Sequence, residues 1–201
     1  MGKLMIAHAA KAGTVSENGR YYEPYYKNKY AVANVIHDIT RTRENELYWK
    51  DLIGTGAFGV GMNLTADEQI REFLFVQNAY NIENRGGRRM HHEIFLLSDE
   101  EAARLYYRSD LMWWFAAECA SFYFRQGYQV VFAVHHQGKF HVHFAVNSIN
   151  YKNGNKYHTS NSELEAREYF FHQLLQKYQL IAGVPVTPIE FYPAQTAVGV
   201  R

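Results

Sequence analysis

The chain has 201 residues, 47% of them hydrophobic, which is enough to bury one real core and points to a single domain with short appendages. Lys+Arg 21 against Asp+Glu 20 leaves a formal net charge of +1, which excludes a global basic field, so any nucleic-acid contact has to be local. The single cysteine, Cys119, excludes an internal disulfide framework and suits a reducing cytosol.

No run of about 18 apolar residues occurs, and Met1 to Ala12 lacks a hydrophobic region of signal length, so no membrane insertion and a cytoplasmic location are expected. Residues 1–30 read as an irregular arm containing Tyr21, Tyr22, Tyr25, Tyr26 and Tyr30; half-exposed rings of this kind can stack on unpaired bases. Ala31 to Arg43 reads as a helix or helix-to-turn element. Leu52 to Gly61, with glycines at 54, 56, 59 and 61, reads as a loop without the Lys-Ser/Thr of a phosphate-binding loop. Thr65-Ala66-Asp67-Glu68 is a capping box, and Ile70, Phe73, Leu74 and Gln77 follow at helical spacing. His91 to Leu97 is a strand. Ser98-Asp99-Glu100-Glu101 opens a long helix reaching to Arg125, with Trp113 and Trp114 on its core side and Gly127 as its stop. Tyr128 to His135 and His141 to Tyr151 form a hairpin, and Ser162 to Leu180 a last helix. Residues 31–182 then constitute the domain, and residues 183–201, with Pro185, Pro188 and Pro193, an extended tail read as the start of a further segment of a longer protein. The fold class is α+β: an antiparallel sheet carrying a histidine hairpin, with helices packed mainly on its faces.

The chemistry concentrates in that hairpin. On a strand, alternate side chains share a face, so His141, His143, Ala145 and Asn147 point one way and Val142, Phe144 and Val146 the other. Two imidazoles about 6 to 7 Å apart at Cα can converge on one ion. If Gln137-Gly138-Lys139 is a three-residue loop, His135 faces His141 directly and completes a three-histidine set; a four-residue loop would bring His136 there instead. His135 is favoured, because Tyr128, Val130, Phe132 and Val134 then form the bulkier, core-facing set. Three neutral imidazoles leave coordination positions open, as a catalytic ion requires.

The run His141-Val142-His143-Phe144-Ala145-Val146-Asn147, followed by Tyr151-Lys152-Asn153-Gly154-Asn155-Lys156-Tyr157-His158, resembles the third motif of plasmid-mobilisation relaxases, in particular the MOB-P class of the HUH endonucleases. Ala33-Asn34-Val35-Ile36-His37-Asp38-Ile39-Thr40-Arg41 resembles their first motif, and Arg88 to Ser98 the strand before the long helix. The resemblance implies cleavage of one DNA strand at an origin of transfer, retention of the 5′ phosphate on a tyrosine, and later rejoining. It also implies Mn²⁺ or Mg²⁺ on His135, His141 and His143. The implied partners are single-stranded or hairpin origin DNA, accessory relaxosome proteins and a type IV secretion coupling protein. Arg41, Arg43, Arg85, Arg88, Arg89, Lys152 and Lys156 are the candidate DNA contacts.

The first motif departs from the family where it matters most. Asp38 occupies the position of the expected nucleophilic tyrosine. Either the nucleophile is lost, leaving a variant that binds origin DNA, or His37 or a tyrosine of the arm takes over. The acidic residue that often follows the first histidine of the third motif is absent too, and Glu93 is the expected substitute. Other readings are a related HUH replication initiator or transposase and, more distantly, a cupin-like metal-histidine enzyme with a closed apolar pocket and no use for the arginines.

Overall fold

The structure, a computed structural model, describes residues 2–6, 26–42, 51–61, 63–105, 108–137 and 139–183. In chain order these residues form β1 (Lys3–Ile6), α1 (Ala31–Thr40), β2 (Leu52–Phe58), α2 (Ala66–Ala79), β3 (Met90–Leu96), α3 (Asp99–Ala103), α4 (Ser109–Arg125), β4 (Tyr128–Gln137), β5 (Lys139–Asn150) and α5 (Asn161–Ile181). The five strands make one open antiparallel sheet in the order β1-β3-β5-β4-β2. The fold is α+β, as the sequence indicates.

Both faces of the sheet are covered. Val130, Phe132 and Val134 of β4 and Val142, Phe144 and Val146 of β5 pack against Met112, Phe115 and Tyr123 of α4 and Phe171 and Leu175 of α5. On the opposite face the smaller Val131, Ala133 and Ala145 meet Val35, Ile36 and Ile39 of α1 and Ile70 and Phe73 of α2. Small residues on this side let α1 lie close to the strands that carry the histidines. The polar Asn147 on the same face is fully buried and bonds Gln77 of α2, Gln129 and the Phe73 carbonyl, tying α2 to β5. Its donors and acceptors are matched, as burial demands.

Capping boxes start α2 at Thr65 and α3 at Ser98, both legible in the sequence, and a third starts α5 at Ser160. Gly127, at φ 94°, ends α4 in a conformation that suits glycine.

Four readings change. Leu52–Phe58 is an edge strand rather than a loop. Its glycines are there because neighbours fill the space of a side chain: a Cβ on Gly54 would sit 2.9 Å from the Trp113 ring, and one on Gly56 would run into the ring of Phe132. The long helix is two. Arg108 leaves helical geometry at φ −127°, ψ 60°, and the turn buries Leu105 between α3 and α4. Trp113 covers Gly54 and donates its indole N–H to the Thr55 carbonyl, but Trp114 faces solvent, 57% exposed. Finally, Lys3–Ile6, read as part of an arm, pairs with β3 at the sheet edge. Tyr21, Tyr22, Tyr25, Arg43 and residues 184–201 lie outside the described residues. Cys119 is buried in the core.

Candidate metal centre

The β4–β5 register decides which histidines meet. His135 pairs with His141, His136 with Phe140 and Gln137 with Lys139, the register of the three-residue loop. The His136 ring stacks on Phe140, 4.1 Å between centroids, away from the other histidines. His135, His141 and His143 converge instead: each offers a nitrogen, and these nitrogens lie within 4.8 Å of one another. Among the described residues this is the group of histidine, cysteine and carboxylate side chains suited to a metal ion.

The remaining ring nitrogens are held. Lys139 O lies 2.8 Å from His141 Nδ1, so that nitrogen carries the proton and Nε2 is free to ligate. Ile39 O lies 2.6 Å from His135 Nε2, which by the same argument carries its proton. The His135 lone pair is therefore on Nδ1, where Arg41 Nη2 approaches to 3.2 Å, and an ion held there displaces this contact. His143 Nδ1 lies 2.8 Å from His92 Nε2, and His92 Nδ1 lies 3.0 Å from the Tyr26 hydroxyl. With His143 ligating through Nε2, its Nδ1–H donates to His92 and His92 Nδ1–H donates to Tyr26. Backbone carbonyls and a buried imidazole thus orient all three rings, which is how outer contacts set ligand tautomer.

Electrostatics keep the rings neutral. Burial, followed by the Arg41 charge, lowers His135 to about 4 despite the opposing bond to Ile39. Burial and the neighbouring histidines lower His92 to about 4 and push His143 well below its ordinary value. Neutral imidazoles are the metal-binding form. The donor set fits a divalent ion with open positions, and the rings need close on it only slightly, since nitrogens sharing one ion sit roughly 3 to 3.5 Å apart.

The carboxylate beside this centre is Asp51, which has no signature in the sequence. It binds Arg41 at 2.9 and 3.2 Å, and although burial would raise its carboxyl, those bonds and the charge of Arg41 hold it below the usual range. Arg41 is the left-handed end of α1, φ 54°. Its side chain also donates to the Asp38 carbonyl at 2.8 Å. Asp38 itself is 43% exposed, 3.9 Å from the same guanidinium, so position 38 stands one side chain away from His135. Glu93 is not near the histidines. It lies on the other face, bonded to Arg167, Tyr123 and Tyr157. His92, which the sequence presents beside it, is the residue that reaches the centre.

The basic candidates divide. Arg41 is at the centre. Arg85 and Lys156 donate to the carbonyls of Gly154 and Gly86, Arg89 pairs with Glu83, Arg88 lies over the Tyr26 ring and Lys152 over Tyr151. They gather around the Met90 end of β3, opposite Asn147, about 13 Å along β5 from His143.

An open antiparallel sheet with three neutral imidazoles converging at its hairpin defines a domain with a group that could hold one ion at the end of its sheet. The family model described as Relaxase: MobA/VirD2-like, nuclease domain, matches residues 51–180, and the chain belongs to this family. It is a relaxase nuclease domain, a DNA-nicking domain of mobilisation. No curated protein matches the chain. Among the described residues no helix is long and apolar enough to cross a membrane.

Because His92 holds the ring of a candidate ligand, His92→Ala is expected to lower Mn²⁺ affinity about 10- to 100-fold, while His136→Ala leaves it unchanged. Titration calorimetry on the two variants checks this. Equal affinities would remove His92 from the centre.

Proposed function

We propose that this domain nicks and transfers one strand of DNA at an origin of transfer by metal-dependent transesterification, with His135, His141 and His143 holding Mn²⁺ or Mg²⁺. The observation that carries the reading is the convergence of three neutral imidazoles, each oriented from behind, in a chain of the relaxase family. The bound ion would supply positive charge to the non-bridging oxygens of the scissile phosphate. The protein's own residues do the rest. Ile39, Lys139 and His92 fix the rings, and Arg41, steadied by Asp51, adds a cation at the same place. Arg85, Arg88, Arg89, Lys152 and Lys156 give the strand a basic track beside the sheet, and Arg43, next but one to Arg41 in sequence, is a further contact of the same kind. Single-stranded or hairpin origin DNA is the substrate, in the cytoplasm, with relaxosome proteins and a secretion coupling protein as partners. The catalytic unit is residues 31–182 together with β1, which completes the sheet edge against β3.

Incubation with Mn²⁺ and single strands of randomised sequence tests the reading. Cleaved strands bearing protein on the 5′ end are expected, and chelation abolishes them. Asp38→Tyr is expected to form an adduct at position 38 as well, since a phenol there reaches from the turn beside His135. If neither the unaltered chain nor Asp38→Tyr cleaves any strand with Mn²⁺, the domain binds DNA without nicking it.

A further inference from the structure

Four rings stack in one line at the end of the sheet remote from the histidines. Phe132 of β4 lies 6.3 Å from Phe58 at the end of β2, Phe58 lies 5.8 Å from Phe124 in the last turn of α4, and Phe124 lies 6.2 Å from Tyr151 just past β5, with interplanar angles of 23°, 24° and 24°. The ends of three elements bring them together, and Gly59, at φ 75°, turns the chain directly after Phe58. The line starts buried at Phe132 and emerges at Phe124, which is 36% exposed, and at the half-buried Tyr151. Cations border its open end. Lys152 Nζ stands 5.7 Å from the Tyr151 centroid, Arg125 follows Phe124 on the exposed turn, and neither forms an ion pair among the described residues. The turn that holds Tyr151 is fixed from behind. Tyr80 donates its hydroxyl to the Tyr151 carbonyl at 3.2 Å, its ring fills the space over Gly154, where a Cβ would sit 2.3 Å away, and Arg85 donates to the Gly154 carbonyl.

We infer that Phe124 and Tyr151 form a stacking platform for unpaired bases of the DNA strand, with Lys152 and Arg125 holding the phosphates beside it; the inference rests on the nicking reading above. A base laid on the rings extends a stack that the core already anchors through Phe132, and it does so whatever its identity, because every base has a π-face. A duplex keeps those faces covered, so the occupant is single-stranded. Cations at the rim of an apolar patch favour a polyanion carrying flat apolar rings over an apolar protein partner. The position of the platform sets which part of the strand it grips. His143 and Asn150, the last residue of β5 before Tyr151, are about 23 Å apart along the strand. Roughly seven stacked nucleotides span that distance at about 3.4 Å each. The platform therefore holds the strand at about that remove from the scissile phosphate, without sequence preference, while the metal centre holds the phosphate itself.

Fluorescence anisotropy with the randomised single strands, in the presence of chelator so that no ion takes part, decides it. Tyr151→Leu and Phe124→Leu are each expected to weaken binding about 10-fold, and Tyr151→Phe, which keeps the ring, to bind as the unaltered chain does. Strands in which abasic spacers replace every base are expected to bind the unaltered chain and Tyr151→Leu equally, because only phosphates remain to be held. Lys152→Ala is expected to reduce the slope of log affinity against log salt by about 0.7. Ultraviolet crosslinking of the unaltered chain, read by peptide mapping, is expected to attach a base at Tyr151 or Phe124. Melting temperatures of the leucine variants matched to the parent make their affinities decisive; if they melt earlier, the crosslink decides alone, and its absence from both rings overturns the platform. Undiminished binding by the leucine variants, or an equal loss on abasic strands, overturns the platform and leaves nicking intact. Self-association of the chain that Phe124→Leu abolishes, with DNA affinity unchanged, does the same and assigns the rings to a second copy. No binding of any strand by the unaltered chain, with chelator or with Mn²⁺, overturns both readings.

Discussion

His141→Ala is expected to abolish divalent-ion binding, with Mn²⁺ affinity falling at least roughly 100-fold and strand cleavage with it. His141 is the most informative of the three because it is half-buried at the hairpin end, where removing a ring leaves the strand pairing and both cores in place. Circular dichroism should be unchanged. Titration calorimetry measures the loss, and undiminished Mn²⁺ binding would mean that the three nitrogens within 4.8 Å are not the ion site. The same experiment has a pH arm. Free histidines protonate near 6.5 and would lose an ion below that. Burial first, with like charges nearby, lowers His135 to about 4 and pushes His143 well below its ordinary value, so in the folded apo state the rings remain neutral well below pH 6.5. Mn²⁺ affinity is therefore expected to hold from pH 8 down to about 5. Stability runs the other way: the unfolded chain takes up protons on these histidines below 6.5 and the native state does not until about 4, so stability declines as pH falls through that window.

Arg167→Met is expected to destabilise the fold by about 3 to 5 kcal/mol without altering Mn²⁺ affinity. Arg167 and Glu93 are 3% and 0% exposed and 3.0 Å apart, and both hydrogen-bond the Tyr157 hydroxyl between α5 and β3. Removing the guanidinium leaves a buried carboxylate with only the hydroxyls of Tyr123 and Tyr157. The double variant Arg167→Met with Glu93→Gln should recover part of the loss, because no unpaired charge then remains. Denaturant unfolding of the three proteins measures it. Equal midpoints for Arg167→Met and the parent would show that the pair carries no weight in the core.

His141 and the Arg167–Glu93 pair lie on opposite faces of one sheet, and that division marks the limit of what the sequence conveys. Alternation along His141, His143, Ala145 and Asn147, with the length of the Gln137 to Lys139 loop, is sufficient to bring His135 to His141 and to leave His136 outside, because hairpin register is local and set by the turn. Capping boxes at Thr65 and Ser98 place two helix starts for the same reason. The expectation for Glu93 fails on parity. Neighbouring residues of a strand face opposite ways, and nothing local says which face of β3 meets the histidine face of β5; only the pairing of Ile94 with His143 turns His92 towards the centre and buries Glu93 against Arg167. Leu52–Phe58 is illegible as a strand because its glycines answer to Trp113 and Phe132, which arrive from other elements. Asp51 is hidden likewise, since only the folded chain brings it to Arg41 beside His135.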